Sequence, residues 1–423
     1  MKTSAYHTRT TILNLPLVIM VFITGYLFPT YVFSQVLPLD SVLTRIEMNN
    51  PALLSFINKI NAADELANGA RALPAPKAGV MFDENPYELG FGSKAIDITV
   101  SQNFPNTKQL NAKEDYLKSL SDIQLKDGEQ LKNRFFAQAK IKYFERYVTE
   151  KRIGILTENI GVMKSMIEIS EKQMSSGMGD LGSIYKMKAR LAETETMLIN
   201  EENMVKSFTN ELNYLMGADL GQTFSLDTNN LLKDYRSQSI LGSRELLESS
   251  RSDIQKMNSE ITSMKLNQKM AAMMSKPEFE LSATHMARIG KPDMFAVGAM
   301  IMIPIAPWSS KGYKSEVKSM GFTIQAMEQD KQAMINMASQ MVSMLLIEFN
   351  SAYTEVENYS KRVVPSYKKS FETNILSYSQ NTGDLMKVIL AWDDLQMAQM
   401  KYIEYLGALL KIQAEYEREM QIR

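Results

Sequence analysis

The chain has 423 residues, 45% of them apolar, a formal net charge of −1 and no cysteine. Near-neutral charge gives no reason to expect nucleic acid as a partner. The missing thiols exclude disulfides, thiolate metal sites and a catalytic cysteine, and the only two histidines, His7 and His285, leave little room for zinc or histidine-triad chemistry.

Residues 1–34 read as a signal peptide, with an N-terminal membrane anchor as the alternative because the apolar run is long for a signal. Lys2 and Arg9 give a positive start, Thr11–Phe28 a mostly apolar core, and Val32-Phe33-Ser34 a small-residue cleavage site. No later apolar run approaches the roughly 18 residues of a transmembrane helix. A helix is expected over Leu39–Arg71, capped by Asp40 or Ser41 and kinked or split early by Pro51. A short strand follows over Lys77–Asp83, then a loop, then a strand over Ala95–Phe104. In that second strand Ile96, Ile98, Val100 and Phe104 alternate with Asp97, Thr99, Ser101 and Asn103, which puts the two sets on opposite faces.

After Pro105 the stretch Asn106–Ser176 is proline-free and rich in Lys, Glu, Leu, Ala and Met. As one helix it would run about 105 Å. A turn at Gly179-Asp180-Leu181 leads to a shorter helix, Ser183–Met216, and then to a linker rich in Gly, Asp and Asn.

The same order then recurs. Ser243–Ser275 is expected helical. Glu278–Met286 is a strand with Phe279, Leu281 and Ala283 on one face and Glu278, Glu280, Ser282 and Thr284 on the other. Met294–Ile303 is the next strand, with Phe295, Val297, Ala299, Ile301 and Ile303 outward and Met294, Ala296, Gly298, Met300 and Met302 on the other side. A long helical run from Ser309 to about Gln380, interrupted by Pro365, reaches a second turn at Gly383-Asp384-Leu385, and Leu385–Gln421 closes the chain. Matching prolines and turns lie about 200 residues apart, the signature of a duplicated half rather than of a short solenoid unit. The expected organisation is a first repeat over 35–217, a linker over 218–238 and a second repeat over 239–423.

Lengths decide the architecture. In each half two helices of about 35 residues flank one of about 70, so two short helices stacked end to end match one long one. Each half adds two strands long enough to cross a bilayer as β-structure. Four strands cannot close a barrel, and open edges are not tolerated in lipid. Three copies would give 12 strands, an even number within the known range.

The chain resembles TolC-type outer-membrane efflux proteins, and the heavy-metal (CusC-like) branch more than the drug branch. The matching residues are Leu39 to Asn50-Pro51-Ala52-Leu53, Leu212–Gly217, the passage Ile303-Pro304 to Lys311, and Tyr378 through Gly383-Asp384-Leu385 to Ala391. The resemblance covers roughly residues 39–420 and implies a mainly α fold with a small β part: a homotrimeric α-helical tunnel plus a 12-stranded transmembrane β-barrel. It further implies a passive exit duct, not an enzyme, in the bacterial outer membrane with its helices in the periplasm. Implied partners are a periplasmic adaptor (membrane fusion protein) and an inner-membrane pump, RND-type, and no cofactor is implied. The expected cargo is heavy-metal ions such as Cu(I) or Ag(I). Multidrug efflux or type I protein secretion through the same channel type stands as the alternative, and a secreted coiled-coil structural protein as a remote one.

In the family the long helices turn at the tunnel mouth, where the adaptor docks. The corresponding candidates are Gly177, Gly179, Asp180, Asn381, Gly383, Asp384 and Lys387. Well-studied drug-exporting members carry aspartates six and nine residues beyond the second-turn glycine. Asn381 takes that glycine's place here, so those positions hold Lys387 and Leu390. Asp384, tripled in a trimer, is a possible substitute acidic ring; equally, Asp180 and Asp384 fit as N-caps of the following helices.

The barrel-lumen candidates are Asp97, Thr99, Ser101, Asn103, Glu278, Glu280, Ser282 and Thr284. Most of the 31 methionines fall at helical spacing, as in Met334, Met337, Met341 and Met344, and fit helix packing. Met294, Met300 and Met302 alternate onto the lumen face instead, where thioether sulfur could meet a soft ion or simply fill space. His285 falls on the lipid or loop side. Trp308 reads as a membrane-interface anchor or as packing against the helix start.

Overall fold

The computed structural model describes residues 36–84, 94–175, 180–238, 243–380 and 382–423. The expected signal peptide, Gly177, Gly179 and Asn381 lie outside them. The helices are α1 (Leu39–Asn49), α2 (Pro51–Asn68), α3 (Thr107–Ser175), α4 (Leu181–Met216), α5 (Ser243–Ser250), α6 (Ser252–Met273), α7 (Pro307–Asn358), α8 (Val364–Ser379) and α9 (Leu385–Glu419). The strands are β1 (Val36–Leu37), β2 (Lys77–Asp83), β3 (Ala95–Phe104), β4 (Ser225–Leu226), β5 (Glu278–Arg288) and β6 (Met294–Met302). No helix among the described residues is long and apolar enough to cross a membrane.

The 69-residue α3 spans about 104 Å. Ion pairs map its neighbours. Asp127 and Asp115 hold Lys256 and Lys269 of α6 along its first half. Arg152, Lys164 and Glu171 hold Glu201, Glu195 and Lys188 of α4 along its second half. Both partners therefore run antiparallel to it.

The short helices stack end to end through two junctions. Asn50 caps α2, its Oδ1 accepting from the Ala52 amide at 2.9 Å, while its Nδ2 donates to the Leu215 carbonyl at 2.8 Å. Thus the end of α4 abuts the start of α2. Gly217, the α4 C-cap, has φ +65°, and a Cβ there would lie 2.8 Å from the Asn49 carbonyl oxygen. At the second junction Arg251, between α5 and α6, pairs with Glu419 at the end of α9, and Gln421 donates to Ser252 Oγ at 2.8 Å. Pro51 breaks the first expected helix as anticipated. The helix expected over Ser243–Ser275 is also broken, at Arg251, which is extended (φ −71°, ψ 122°) so that its guanidinium reaches Asp253 and Glu419.

The core sits at the junctions. Tyr143, Phe349, Leu212, Met216, Leu409 and Leu410 are buried there. The segment after Gly217 is not a loose linker: Ser225–Leu226 pairs in parallel with Val36–Leu37, and Phe224, Leu226 and Tyr235 are buried. Tyr143 locks this pairing, its hydroxyl donating toward the Leu37 and Asp227 carbonyls at 2.9 Å and accepting from the Asp227 amide at 2.8 Å. Burial pushes this phenol up to about 12. Beside it the buried Glu417 accepts from Lys140 and from Tyr235; burial pulls the Lys140 ammonium below its ordinary value.

Pro365 does not end its helix. A π-helical stretch over Tyr359–Val363 precedes it and closes with the Val364 amide donating to the Tyr359 carbonyl. The methionine stripe on α7 is divided within the single chain. Met341 packs against the core, but Met337 and Met344 are exposed. The buried face of α7 is instead Ile335, Ala338, Val342, Leu345, Leu346 and Phe349.

Candidate functional site

Four strands form one antiparallel sheet in the order β2-β3-β5-β6. The two halves of the chain meet at β3–β5, and β2 and β6 are its edges. Register puts Thr99 opposite Thr284, Ser101 opposite Ser282 and Asn103 opposite Glu280. Ladder partners share a face, so the expected lumen set is brought together. Thr99 Oγ1 and Thr284 Oγ1 are 2.9 Å apart, and Asn103 Nδ2 donates to Glu278 Oε2 at 3.3 Å. Met302, Met300 and Met294 oppose Glu278, Glu280 and Met286 and so lie on this same face.

The opposite face is predominantly apolar, with Gln102 and His285 as its polar members. It carries Val80 and Phe82 of β2, Ile98 and Val100 of β3, Phe279 and Leu281 of β5, and Phe295, Val297 and Ile301 of β6. All of these are exposed, Phe295 to 82% and Val297 to 77%. The polar residues of β5, in contrast, are half-buried. A sheet that exposes a broad apolar face inverts the rule for soluble proteins; the polar face is shielded on the central strands β3 and β5, while the edge strands β2 and β6 are exposed on both faces. His285 falls on this apolar face, opposite Ile98 and Phe295. Trp308, at the second position of α7 just beyond β6, is 85% exposed.

At the other end of the helices the two turns come together. Gln173 Nε2 donates to the Tyr378 carbonyl at 3.3 Å, and Tyr378 Oη lies 3.3 Å from Ser170 Oγ. Met163, Met166, Ile167, Met187, Val388 and Trp392 pack beneath them. Both expected caps form. Asp180 accepts from the Gly182 and Ser183 amides and from the Ser183 hydroxyl; these donors, the hydroxyl foremost, hold its carboxyl below the usual range. Asp384 accepts from the Met386 amide at 2.9 Å. A Cβ on Gly383 would fall 2.9 Å from the Tyr378 amide nitrogen, so the tightness of the second turn requires glycine. Lys387 follows within the first turn of α9.

Reading from sequence missed the polar-face side chains of β2 and the end of β5. Register adds Met81 and Met286 to the polar face, and Arg288 pairs with Glu84 above them. The alternation of Lys77, Gly79, Met81 and Asp83 with Ala78, Val80 and Phe82 held that signal.

Solved structures share this arrangement of rods and sheet. The outer-membrane channel OprN superposes with a TM-score of 0.71 at 14% identity, over 90% of this chain and 89% of that one. CusC, solved in a study of folding and transmembrane channel formation, gives 0.74 at 13% identity, over 90% and 91%. The fold is that of outer-membrane channels. The CmeC outer-membrane channel of Campylobacter jejuni also matches, at 0.72 and 14% identity, over 90% and 85%. No family model matches the chain, and no curated protein matches it.

Proposed function

We propose that the chain is the outer-membrane duct of a tripartite efflux system, a passive channel rather than a catalyst. The observation that carries this is the inverted sheet: an exposed apolar face backed by a polar one that is half-buried on the central strands, at one end of helical rods about 100 Å long. Closure follows from the strand directions. With order β2-β3-β5-β6 and every pair antiparallel, β6 of one copy runs opposite to β2 of the next. Three copies joined that way close an all-antiparallel 12-stranded barrel with no free edge. The rods would then form the periplasmic tunnel, with the 180 and 384 turns at its inner mouth facing an adaptor and an RND-type pump. The likeness in fold to OprN, CusC and CmeC supports this reading.

For cargo we favour soft heavy-metal ions. Met294, Met300 and Met302 stand on the polar face among Glu278, Glu280 and Met286, and thioether sulfur suits Cu(I) and Ag(I). The drug-efflux reading is kept apart by one experiment. Deleting the gene should lower tolerance to copper and silver and leave tolerance to bile salts nearly unchanged; the opposite pattern would assign the duct to amphiphilic drugs. The duct itself is tested by purification. The mature chain should require detergent, run at three times the chain mass and conduct in a planar bilayer. A chain that stays soluble and monodisperse without detergent overturns it.

A further inference from the structure

One register row of the sheet has a composition unlike the others. Reading across the four strands, Met81 of β2 opposes Asp97 of β3, Asp97 opposes Met286 of β5, and Met286 opposes Met294 of β6. All four side chains leave the polar face at one level, near the strand ends farthest from the helices. Asp97 is only 7% exposed, and its Oδ1 is enclosed without a hydrogen-bond partner. A buried carboxylate oxygen with nothing to accept from is costly and rare. The two neighbours that could contact it across the ladder, at about 5 Å between Cβ atoms, are both methionines.

We infer that Met81, Asp97 and Met286 form a soft-cation site, taking a monovalent thiophilic ion such as Ag(I) or Cu(I). Two neutral thioethers and one carboxylate neutralise a single positive charge. Thioether donors select soft ions, whereas Mg(II) and Ca(II) require several oxygens, and no set of three His, Asp or Glu side chains that could hold a metal exists among the described residues. Met294 stands outside the site, because its sulfur lies 3.2 Å from Arg288 Nη1. That guanidinium is in turn held by Glu84, which Lys291 also approaches at 3.8 Å. These two cations face the row from its outer side, Glu84 screens them, and the carboxylates nearest the opposite end of the face are Glu280 and Glu278. With one anionic donor the site holds its ion weakly, as suits a point of passage. Its service as an exit-side contact rests on the duct reading, whereas the row itself lies within a single chain.

The test is a titration of the detergent-solubilised full chain, carrying 13C-methyl methionine, with Ag(I), a redox-inert probe. The Met81 and Met286 methyl resonances, identified by their loss in Met81→Leu and Met286→Leu, should move first, before one Ag(I) per chain is added. Asp97→Asn should weaken that response at least tenfold, with melting temperature and oligomeric state as checks on folding. Mg(II) should leave both methyls unmoved. The site is overturned if the methionine methyls move together, if Met294, Met300 or Met302 moves first, if Mg(II) acts equally, or if Asp97→Asn changes nothing. Failure of the site and failure of the duct are separable. A trimer that conducts while this row stays silent removes the site alone; a chain that binds Ag(I) here but neither trimerises nor conducts removes the duct reading alone.

Discussion

Gly217 occupies a backbone position that a side chain cannot share. With φ +65° and the Asn49 carbonyl in the way, Gly217→Ala combines left-handed strain with a clash at the stacking junction. It should destabilise the fold by about 1–3 kcal/mol, read as a lower thermal midpoint; Gly221→Ala, where the space is open, separates strain from clash. Asp180 makes the opposite kind of contribution, through charge. Its folded pKa is depressed, so its stabilisation is complete above the ordinary carboxylate value near 4 and is lost as pH falls through the lower folded value. Limited proteolysis at the start of α4 should therefore be slow and flat above pH about 5 and accelerate only below about 4. Asp180→Ala should show the fast rate at every pH. The caps were readable from sequence, because an aspartate before a helical run needs only its own next residues. The Asn50–Leu215 bond joins residues 165 positions apart, and nothing local announces it.

At the scale of elements the sheet carries the sharpest expectation. Val297→Arg puts a charge near the middle of the exposed apolar face, where arginine costs about 2–4 kcal/mol in a barrel. It should abolish detergent-resistant trimers and insertion into liposomes. Thr99→Lys, on the polar face beside Thr284, should assemble normally and shift the reversal potential toward anions under a salt gradient. Equal behaviour of the two variants would mean that the faces are assigned the wrong way round. The strands and their faces were legible because period-two alternation is a local property. Three features were not. Val36–Leu37 and Ser225–Leu226 are too short to show any period. The break at Arg251 exists because Glu419, far along the chain, holds the guanidinium. Met337 and Met344 have the spacing of a packed stripe yet are uncovered within one chain, since spacing defines a helix face without saying what covers it.

Over the whole molecule the stability of the rods concentrates at the level where the short helices meet. Lys140 and Glu417 are buried together there, with Tyr235 and Gln413 on the same carboxylate. Removing one member strands the other charge. Glu417→Ala should destabilise by about 3–5 kcal/mol, visible in chemical denaturation, while a paired Lys140→Met, Glu417→Leu replacement should lose much less. The double variant falling as far as the single would show that the partners act through something other than their mutual charge.

By itself the sequence determined the inventory: two halves of like order, rods of matched length, four amphipathic strands, two tight turns and no thiol chemistry. Each of these follows from local periodicity, from proline and glycine placement or from composition. Only the tertiary structure decided how the inventory is joined. It anchored the segment after Gly217 to the core through Phe224, Leu226 and Tyr235, where Tyr143 could lock it. It stacked the short helices through Asn50 and Arg251. It also set the register that lines up Met81, Asp97 and Met286, since a one-residue slip between strands would send those side chains to opposite faces.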